Sequence, residues 1–237
     1  ILNDFLKNVE LDSKLKEAVF ENNFLLYYQP QYYAGNRKLR GVEALIRWKD
    51  GNGRMISPAK FIPIAEKNGT IIPIGNWVLE QSIRTFSEWR NRYGVPFVLS
   101  VNISALQYQK EDFVETLLNI IHKYDVDPDE IELEITESIL IDDFSAVTEK
   151  MQLLKEYGIR ISLDDFGTGN SSLSLALELP FDELKVDMSF IRDIKQKPQN
   201  QAMVQSIVDY ARRTNTETCI EGIEDKEVSD YIEKFGS

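Results

Sequence analysis

Two adjacent aspartates, Asp164 and Asp165, follow an apolar alternating run from Ile159 to Leu163. Such a run is typical of a buried strand, because apolar side chains recur at every second position. Adjacent carboxylates repel each other, and the usual remedies are a divalent cation or a raised pKa. A glycine-rich turn, Gly167 to Gly169, follows at once. Taken alone, the stretch is therefore also compatible with a simple turn or helix cap.

Polar side chains end most of the other predicted strands as well. They are Glu43, Arg47, Asn102, Glu134, Glu137, Lys185, Asp187, Glu221 and Glu224. Buried strands rarely carry charged groups without a partner, so solvation alone explains this repetition poorly. In a (β/α)8 barrel the carboxyl ends of the strands form the functional face. The pattern therefore predicts a site rich in oxygen ligands that also contains a lysine.

Spacing suggests roles within this set. Glu43 and Arg47 lie four residues apart on one strand and face the same side, so one can bind a cation while the other reaches an anionic oxygen. Lys185 and Asp187 also share a face. A lysine among carboxylates stays charged and can stabilise an oxyanion or position a water. Asn102 adds a neutral oxygen ligand.

Composition limits the kinds of ligand and metal. The net charge of −12 argues against a DNA-binding protein, which presents a basic face. A small phosphate ligand stays compatible, because a bound metal reverses the local field. His122 is the only histidine, so the remaining oxygen ligands point to Mg²⁺, Mn²⁺ or Ca²⁺. Cys219 is the only cysteine, which excludes an internal disulfide and favours a reducing compartment.

The elements that position these residues alternate between strand and helix from Phe97 onward, as in right-handed βαβ units with a parallel sheet. Seven strands are predicted, at Phe24–Tyr33, Leu39–Trp48, Phe97–Ile103, Ile131–Thr136, Ile159–Asp164, Glu183–Asp187 and Thr218–Ile220. The short turn at Gly35 and Asn36 makes the first two strands antiparallel. Residues 1–23 are predicted to be a helical lead-in, and residues 24–237 one α/β domain.

Seven motifs in this order resemble the EAL family of cyclic di-GMP phosphodiesterases. They are Y-Q-P-Q at Tyr28 to Gln31, E-A-L-I-R-W at Glu43 to Trp48, V-N-I-S at Val101 to Ser104, E-L-E-I-T-E at Glu132 to Glu137, D-D-F-G-T-G at Asp164 to Gly169, L-K-V-D at Leu184 to Asp187, and E-G-I-E at Glu221 to Glu224. The resemblance implies a TIM-like (β/α)8 barrel with an antiparallel first strand. It also implies a last strand beyond Ser237, so we expect the domain in this chain to be C-terminally incomplete.

The resemblance also implies a role for each site residue. The implied metal ligands are Glu43, Asn102, Glu134, Asp164 and Asp165. The implied catalytic residues are Lys185, which contacts the attacking water or metal-bound oxygens, Glu221, which orients that water or completes the second metal site, and Glu137, which braces the loop after Asp165. The implied substrate contacts are Gln29, Leu45, Asp187 and Arg47, the last of which holds a phosphate.

The activity implied by the resemblance is hydrolysis of cyclic di-GMP to linear 5′-pGpG. Two Mg²⁺ or Mn²⁺ ions would activate the attacking water, and Ca²⁺ is expected to inhibit. The resemblance further implies a homodimer in bacterial signalling, fused to other signalling domains. The domain is expected in the cytoplasm, which leaves membrane attachment of the full-length protein open.

Two other functions are compatible with these residues. One is an EAL domain that binds cyclic di-GMP without cleaving it, although such modules usually lack acidic motif residues and this chain has them all. The other, without the resemblance, is a Mg²⁺-dependent lyase or racemase of the enolase kind, which uses acidic ligands and a lysine base. Two positions depart from the family pattern: Asn170, where an aromatic residue is usual, and Met188, where a basic residue is usual.

Overall fold

The structure, a computed structural model, describes residues 10–18, 23–140, 144–167 and 179–235. The chain divides into two compact units. The first comprises Ile1–Pro30 and Gly41–Asp127, and the second comprises Gln31–Arg40 and Pro128–Ser237. Among the helices described, none combines the length and the apolar character that crossing a bilayer requires.

The described residues of the first unit form four strands, of which β1 and β2 continue into the second unit at their connecting turn. The strands are β1 (Phe24–Tyr32), β2 (Leu39–Lys49), β3 (Met55–Ile56) and β4 (Val98–Asn102). The helices are α1 (10–18), α2 (Pro58–Asn68), α3 (Ile71–Tyr93), α4 (Ala105–Tyr108) and α5 (Phe113–Lys123). β2 pairs in parallel with β4 and antiparallel with β3, a short strand that the sequence did not predict. Helix α1 is the described part of the predicted lead-in, and residues 1–9 and 19–22 lie outside the described residues.

β1 and β2 are neighbouring strands that form an antiparallel hairpin, as predicted. At one end of the hairpin, the Lys49 N–H donates to the Asn23 carbonyl at 3.1 Å. At the other end, the Tyr33 N–H donates to the Lys38 carbonyl at 2.9 Å. Few residues separate the two strands, so the chain can only reverse direction between them.

The two faces of β1 have different surroundings. On one face, Phe24 is buried and its ring lies 6.3 Å from that of Trp48. Successive side chains of a strand alternate between faces, and the other face of β1 is exposed. The exposed positions there are Leu25, Tyr27 and Gln29. This exposed face therefore carries one predicted substrate contact, Gln29, and a tyrosine with no predicted role.

The second unit contains a parallel sheet in the order β5-β6-β7-β8. Its strands are β5 (Ile131–Thr136), β6 (Arg160–Phe166), β7 (Glu183–Val186) and β8 (Glu217–Ile220). Its helices are α6 (Phe144–Glu156), α7 (Met188–Ile191), α8 (Pro198–Thr214) and α9 (Lys226–Ile232), with 3-10 turns at Pro128–Glu130, Glu137–Leu140 and Glu233–Phe235. Strand and helix alternate here as the sequence predicts.

One face of this sheet is apolar and the other is charged. The apolar side chains are at most 1% exposed, and they are Ile131, Leu133, Ile135, Ile161, Leu163, Leu184 and Val186. The polar residues are equally buried, and they are Glu132, Glu134, Ser162, Glu183 and Lys185. Charges in a protein interior cost free energy unless they are paired. The partners of these residues divide into two clusters, one at each end of the strands.

Two arginines and three glutamates form the first group, the amino-end cluster. Its members are Arg40, Arg160, Glu132, Glu183 and Glu217. Arg40 Nη2 lies 2.8 Å from Glu132 Oε2, 2.8 Å from Glu183 Oε2 and 3.1 Å from Glu217 Oε2. Burial, together with the charge of Glu132, raises the pKa of Glu183 to about 8. With Glu183 protonated, the remaining two carboxylates balance the two guanidinium groups.

Glu183→Gln is expected to flatten the pH dependence of the free energy of unfolding. The folded chain binds the Glu183 proton more tightly than the unfolded chain between the ordinary pKa of 4.5 and about 8. The contribution of Glu183 to the free energy of unfolding is therefore greatest below its ordinary pKa and is lost as the pH rises through the raised one, by at most about 1.4 kcal/mol per pH unit. Urea unfolding at several pH values measures this slope, with Glu227→Gln, an exposed glutamate, as the control. Equal slopes in the wild type and Glu183→Gln would contradict the assignment.

Candidate active site

The carboxyl end of β6 carries the two aspartates on a β-bulge. The register between β6 and β7 shifts between Leu163 and Phe166. Asp165 has a φ of 57°, in the left-handed region, and its N–H donates to Asp164 Oδ1 at 2.9 Å. In a regular strand two successive side chains point to opposite faces, and a bulge redirects one of them. The bulge therefore changes the direction that Asp165 would have in a regular strand beside Asp164.

Lys185 of β7 is the centre of the second group of charges, the lysine cluster. Its other members are Glu134, Asp164 and Glu221. Lys185 Nζ lies 2.7 Å from Glu134 Oε2, 2.8 Å from Glu221 Oε1 and 3.5 Å from Asp164 Oδ1. Lys185 and Glu134 are fully buried, whereas the Glu221 side chain is 29% exposed. The structure thus brings together predicted site residues from β5, β6, β7 and the residue after β8.

The lysine cluster holds more negative than positive charge. Three carboxylates contact one ammonium group, which leaves two negative charges in excess when all are ionised. Carboxylate oxygens are the ligands that Mg²⁺ and Mn²⁺ prefer, so the donor set fits a divalent cation. Within the described residues, no three acidic side chains already have the spacing of a metal site. The Lys185 ammonium occupies the point where these carboxylate oxygens converge.

Cys219 of β8 lies opposite Lys185 of β7 in the sheet register. Burial is the main reason that the pKa of the Cys219 thiol is raised well above its ordinary value. Since the thiolate is the reactive form, this thiol is a poor nucleophile at neutral pH. His122 is an exposed residue of α5. Cys219 therefore neighbours the lysine cluster as a protonated thiol with no predicted role, and His122 likewise has no predicted role.

In the first unit, the predicted ligands Glu43 and Asn102 contact each other directly. Asn102 Nδ2 donates to Glu43 Oε1 at 2.8 Å. Parallel pairing sets Glu43 opposite Ser100, and Asn102 follows two residues later on the same face of β4. Rotation of the amide about χ2 exchanges Nδ2 for Oδ1, which is the atom that binds a cation. The pair is therefore suited to supply two oxygen ligands.

Arg47 of β2 is held in two ways within the first unit. Its Cζ lies 5.4 Å from the centroid of the Tyr27 ring, and its Nη1 donates to the Ile46 carbonyl at 2.9 Å. Leu45 lies on the same face of β2, two residues away. Of the predicted substrate contacts on these strands, Leu45 and Arg47 are half-buried and Gln29 is exposed.

Three predicted features remain, namely Asp187, Glu137 and the loop after Asp165. The Asp187 side chain accepts a hydrogen bond from the Ser189 N–H at 2.9 Å and so caps α7. Glu137 begins the 3-10 turn after β5, and its side chain lies outside what the structure describes. The loop that Glu137 is predicted to brace, which follows Asp165, is described only as far as Gly167, and residues 168–172 lie outside the described residues.

Sequence comparison identifies relatives of this chain. A family model described as EAL domain matches residues 12–237. The bifunctional diguanylate cyclase/cyclic di-GMP phosphodiesterase MucR of Pseudomonas aeruginosa is 34% identical over 97% of this chain and 34% of its own length. The cyclic di-GMP phosphodiesterase PdeR of Escherichia coli is 34% identical over 95% of this chain and 34% of its own length. Across these two and six other similar curated proteins, the chain spans between 26% and 38% of their length.

Solved structures show the same fold. The c-di-GMP complex of the PaMucR phosphodiesterase has a TM-score of 0.90 at 35% identity and covers 96% of this chain and 92% of its own. The EAL enzyme Bd1971, in a form with cAMP and cyclic di-GMP bound, has a TM-score of 0.92 at 33% identity, over 99% of this chain and 64% of its own. This likeness confirms the predicted fold class, a TIM-like (β/α)8 α/β fold with an antiparallel first strand. Because the family model matches nearly the whole sequence, the chain belongs to the EAL domain family.

Proposed function

We propose that this chain hydrolyses cyclic di-GMP to linear 5′-pGpG. The observation that carries the proposal is the lysine cluster, in which one ammonium contacts three carboxylates at the ends of successive parallel strands. Two further findings support the substrate: PdeR is named a cyclic di-GMP phosphodiesterase, and PaMucR was solved with c-di-GMP. All the acidic motif residues are present, which favours hydrolysis over binding alone.

Divalent cations are the cofactors in this proposal. Glu43, Asn102, Glu134 and Asp164 would hold one cation. Asp164 and Asp165 would serve a second cation or its water, with Glu221 completing that site or orienting the water. Mg²⁺ or Mn²⁺, when bound, supplies an activated water at neutral pH and offsets the phosphate charge. Ca²⁺ has a larger and looser coordination shell, and we expect it to inhibit.

Lys185 has two roles in this mechanism: it donates to a water or a phosphate oxygen, and it holds neighbouring carboxylates in place. Its three N–H donors face three carboxylates, and the contact with Asp164 is the longest, at 3.5 Å. The donor that faces Asp164 is therefore the one most easily redirected to a water or a phosphate oxygen. The shorter contacts, to Glu134 and Glu221, hold those two carboxylates in place.

The proposed substrate contacts lie on strands β1 and β2 and at the start of helix α7. Arg47 would bind a phosphate, because a planar guanidinium presents paired N–H donors to phosphate oxygens. Gln29 and Leu45 lie on the faces of β1 and β2 that carry Tyr27 and Arg47, and they would contact the rest of the dinucleotide. Asp187 would contribute from the start of α7 while it caps that helix.

Regulation and cellular context complete the proposal. Glu137 would brace the loop that follows Asp165, and the domain, residues 24–237, would work as a homodimer within a larger signalling protein. The chain matches only 26% to 38% of the length of these curated relatives, which supports further domains in the full-length protein. A single cysteine suits a reducing compartment such as the cytoplasm.

The direct test is incubation of the chain with cyclic di-GMP and Mg²⁺, followed by chromatography of the nucleotides. We expect linear pGpG, and we expect none from Asp164→Asn under the same conditions. Binding of cyclic di-GMP without any product would favour the receptor function. A chain that neither binds nor cleaves cyclic di-GMP would overturn the proposal.

Gly222→Ala is expected to slow hydrolysis about tenfold or more by displacing Glu221. Gly222 has a φ of 75°, and an added Cβ would lie 2.6 Å from Met188 Cβ and 3.1 Å from Met188 Cα. The matched control is Gly69→Ala, where φ is 80° and nothing lies within 4 Å of the added Cβ. Both variants bear the backbone strain, but only Gly222→Ala moves a site residue. Equal rates in the two variants would contradict this role of the Met188 contact.

A further inference from the structure

Tyr27 is a large aromatic side chain left 54% exposed on β1. Neither the sequence motifs nor the charged clusters account for it. Its one described contact with a charged group is with Arg47, whose Cζ lies 5.4 Å from the ring centroid. Within 6 Å, a guanidinium over an aromatic ring is attracted by the electrons of the ring face.

The Tyr27 ring suits an arginine that has to bind an anion. A carboxylate partner would occupy the N–H donors of Arg47 and would compete with a phosphate for them. An aromatic ring contacts the flat face of the guanidinium and leaves the donors at its edge for other partners. The ring therefore orients Arg47 without using its hydrogen-bonding capacity.

A second contact restrains the Arg47 guanidinium further. Arg47 Nη1 donates to the Ile46 carbonyl at 2.9 Å, at one corner of the group. Together, the ring contact and this hydrogen bond restrain the position of the guanidinium. A long flexible side chain held in this way has lost much of its rotamer freedom before a ligand arrives.

We infer that Tyr27 is a positioning residue that holds Arg47 ready for a phosphate of the substrate. The inference rests on the proposed function, in which Arg47 binds that phosphate. Tyr27 then acts through Arg47, by lowering the entropy that binding would otherwise cost. Its removal should weaken binding of the substrate and leave the chemical step unchanged.

The test compares cyclic di-GMP affinity, measured by calorimetry with Ca²⁺, and steady-state kinetics with Mg²⁺. We expect Tyr27→Leu to raise Kd and KM about fivefold and to leave kcat within about twofold. Tyr27→Phe, which keeps the ring, should match the wild type. Tyr93→Leu is the matched control, because Arg92 lies over the exposed Tyr93 ring at 5.5 Å and outside the predicted site.

A double-variant cycle separates positioning from direct contact. In an Arg47→Ala background, Tyr27→Leu should cause no further loss of affinity. A full fivefold loss in that background, or unchanged Kd in Tyr27→Leu alone, would overturn the inference while the proposed function stands. Should Tyr27→Leu fail to fold, Tyr27→Thr, which also favours a strand, repeats the comparison. A wild-type chain that binds no cyclic di-GMP would overturn the proposed function and this inference together.

Discussion

Lys185→Met should strongly slow hydrolysis and should also cost about 3–5 kcal/mol of folding free energy. Lys185 is 1% exposed and contacts Glu134, whose side chain is fully buried. Removal of the ammonium leaves Glu134 charged in the interior without its closest cation. The loss of a donor near the reacting oxygens should lower kcat by about 100- to 1000-fold. Urea unfolding and product chromatography measure the two effects separately.

Two further variants show whether both effects arise in the lysine cluster. Lys195→Met breaks an exposed ion pair with Glu227 and should change stability by no more than about 1 kcal/mol. Lys185→Met combined with Glu134→Gln removes the uncompensated charge, so it should recover stability but no activity. A Lys185→Met variant as stable as the wild type would contradict the burial of the Lys185–Glu134 ion pair.

Removal of divalent cations should abolish hydrolysis and lower the stability of the folded chain. The excess negative charge of the lysine cluster favours cation binding to the folded state, since unfolding separates the carboxylates. Mg²⁺ at roughly one hundred times its Kd should then add about 2.7 kcal/mol to the free energy of unfolding. Thermal or urea unfolding with Mg²⁺ or with a chelator measures this difference.

Asp164→Asn and Glu183→Gln distinguish a specific cation site from general screening of charge. Asp164→Asn should lose both turnover and the stabilisation by Mg²⁺. Glu183→Gln, in the amino-end cluster, should keep the response to Mg²⁺ because it removes no proposed ligand. Rapid turnover in excess chelator would contradict the two-metal mechanism as a whole. Ca²⁺ should stabilise the chain without supporting comparable turnover.

Much of this fold can be predicted from the sequence alone. Apolar residues at every second position mark the buried strands, and the predicted bounds of β5, Ile131–Thr136, agree with the structure. The short turn at Gly35 and Asn36 requires an antiparallel first pair of strands. Polar residues at strand ends identified Glu134, Asp164, Lys185 and Glu221 as candidates, because parallel strands align their carboxyl ends. Local periodicity is sufficient for these conclusions.

Other features depend on residues far apart in the sequence. Arg40 contacts Glu132 from 92 residues away and Glu217 from 177 residues away. Alternation shows that Glu132 faces the same side as Glu134, but it does not show which cation meets it. That choice depends on the register of strands that the sequence brings together only on folding. The amino-end cluster was therefore missed.

The bulge at Asp165 and the contact of Tyr27 with Arg47 also depend on how strands pair, which the local sequence does not show. A regular strand would direct Asp164 and Asp165 to opposite faces, and only the shifted pairing of β6 with β7 shows that the regular strand geometry is interrupted there. Tyr27 and Arg47 lie on different strands, so pairing of those strands decides that they meet. The sequence by itself determined where most of the buried strands lie, which polar residues stand near their ends, and which chemistry those residues carry. The tertiary structure decided the partner of each charge, because ion pairs and ring contacts depend on distances of a few ångströms between distant segments.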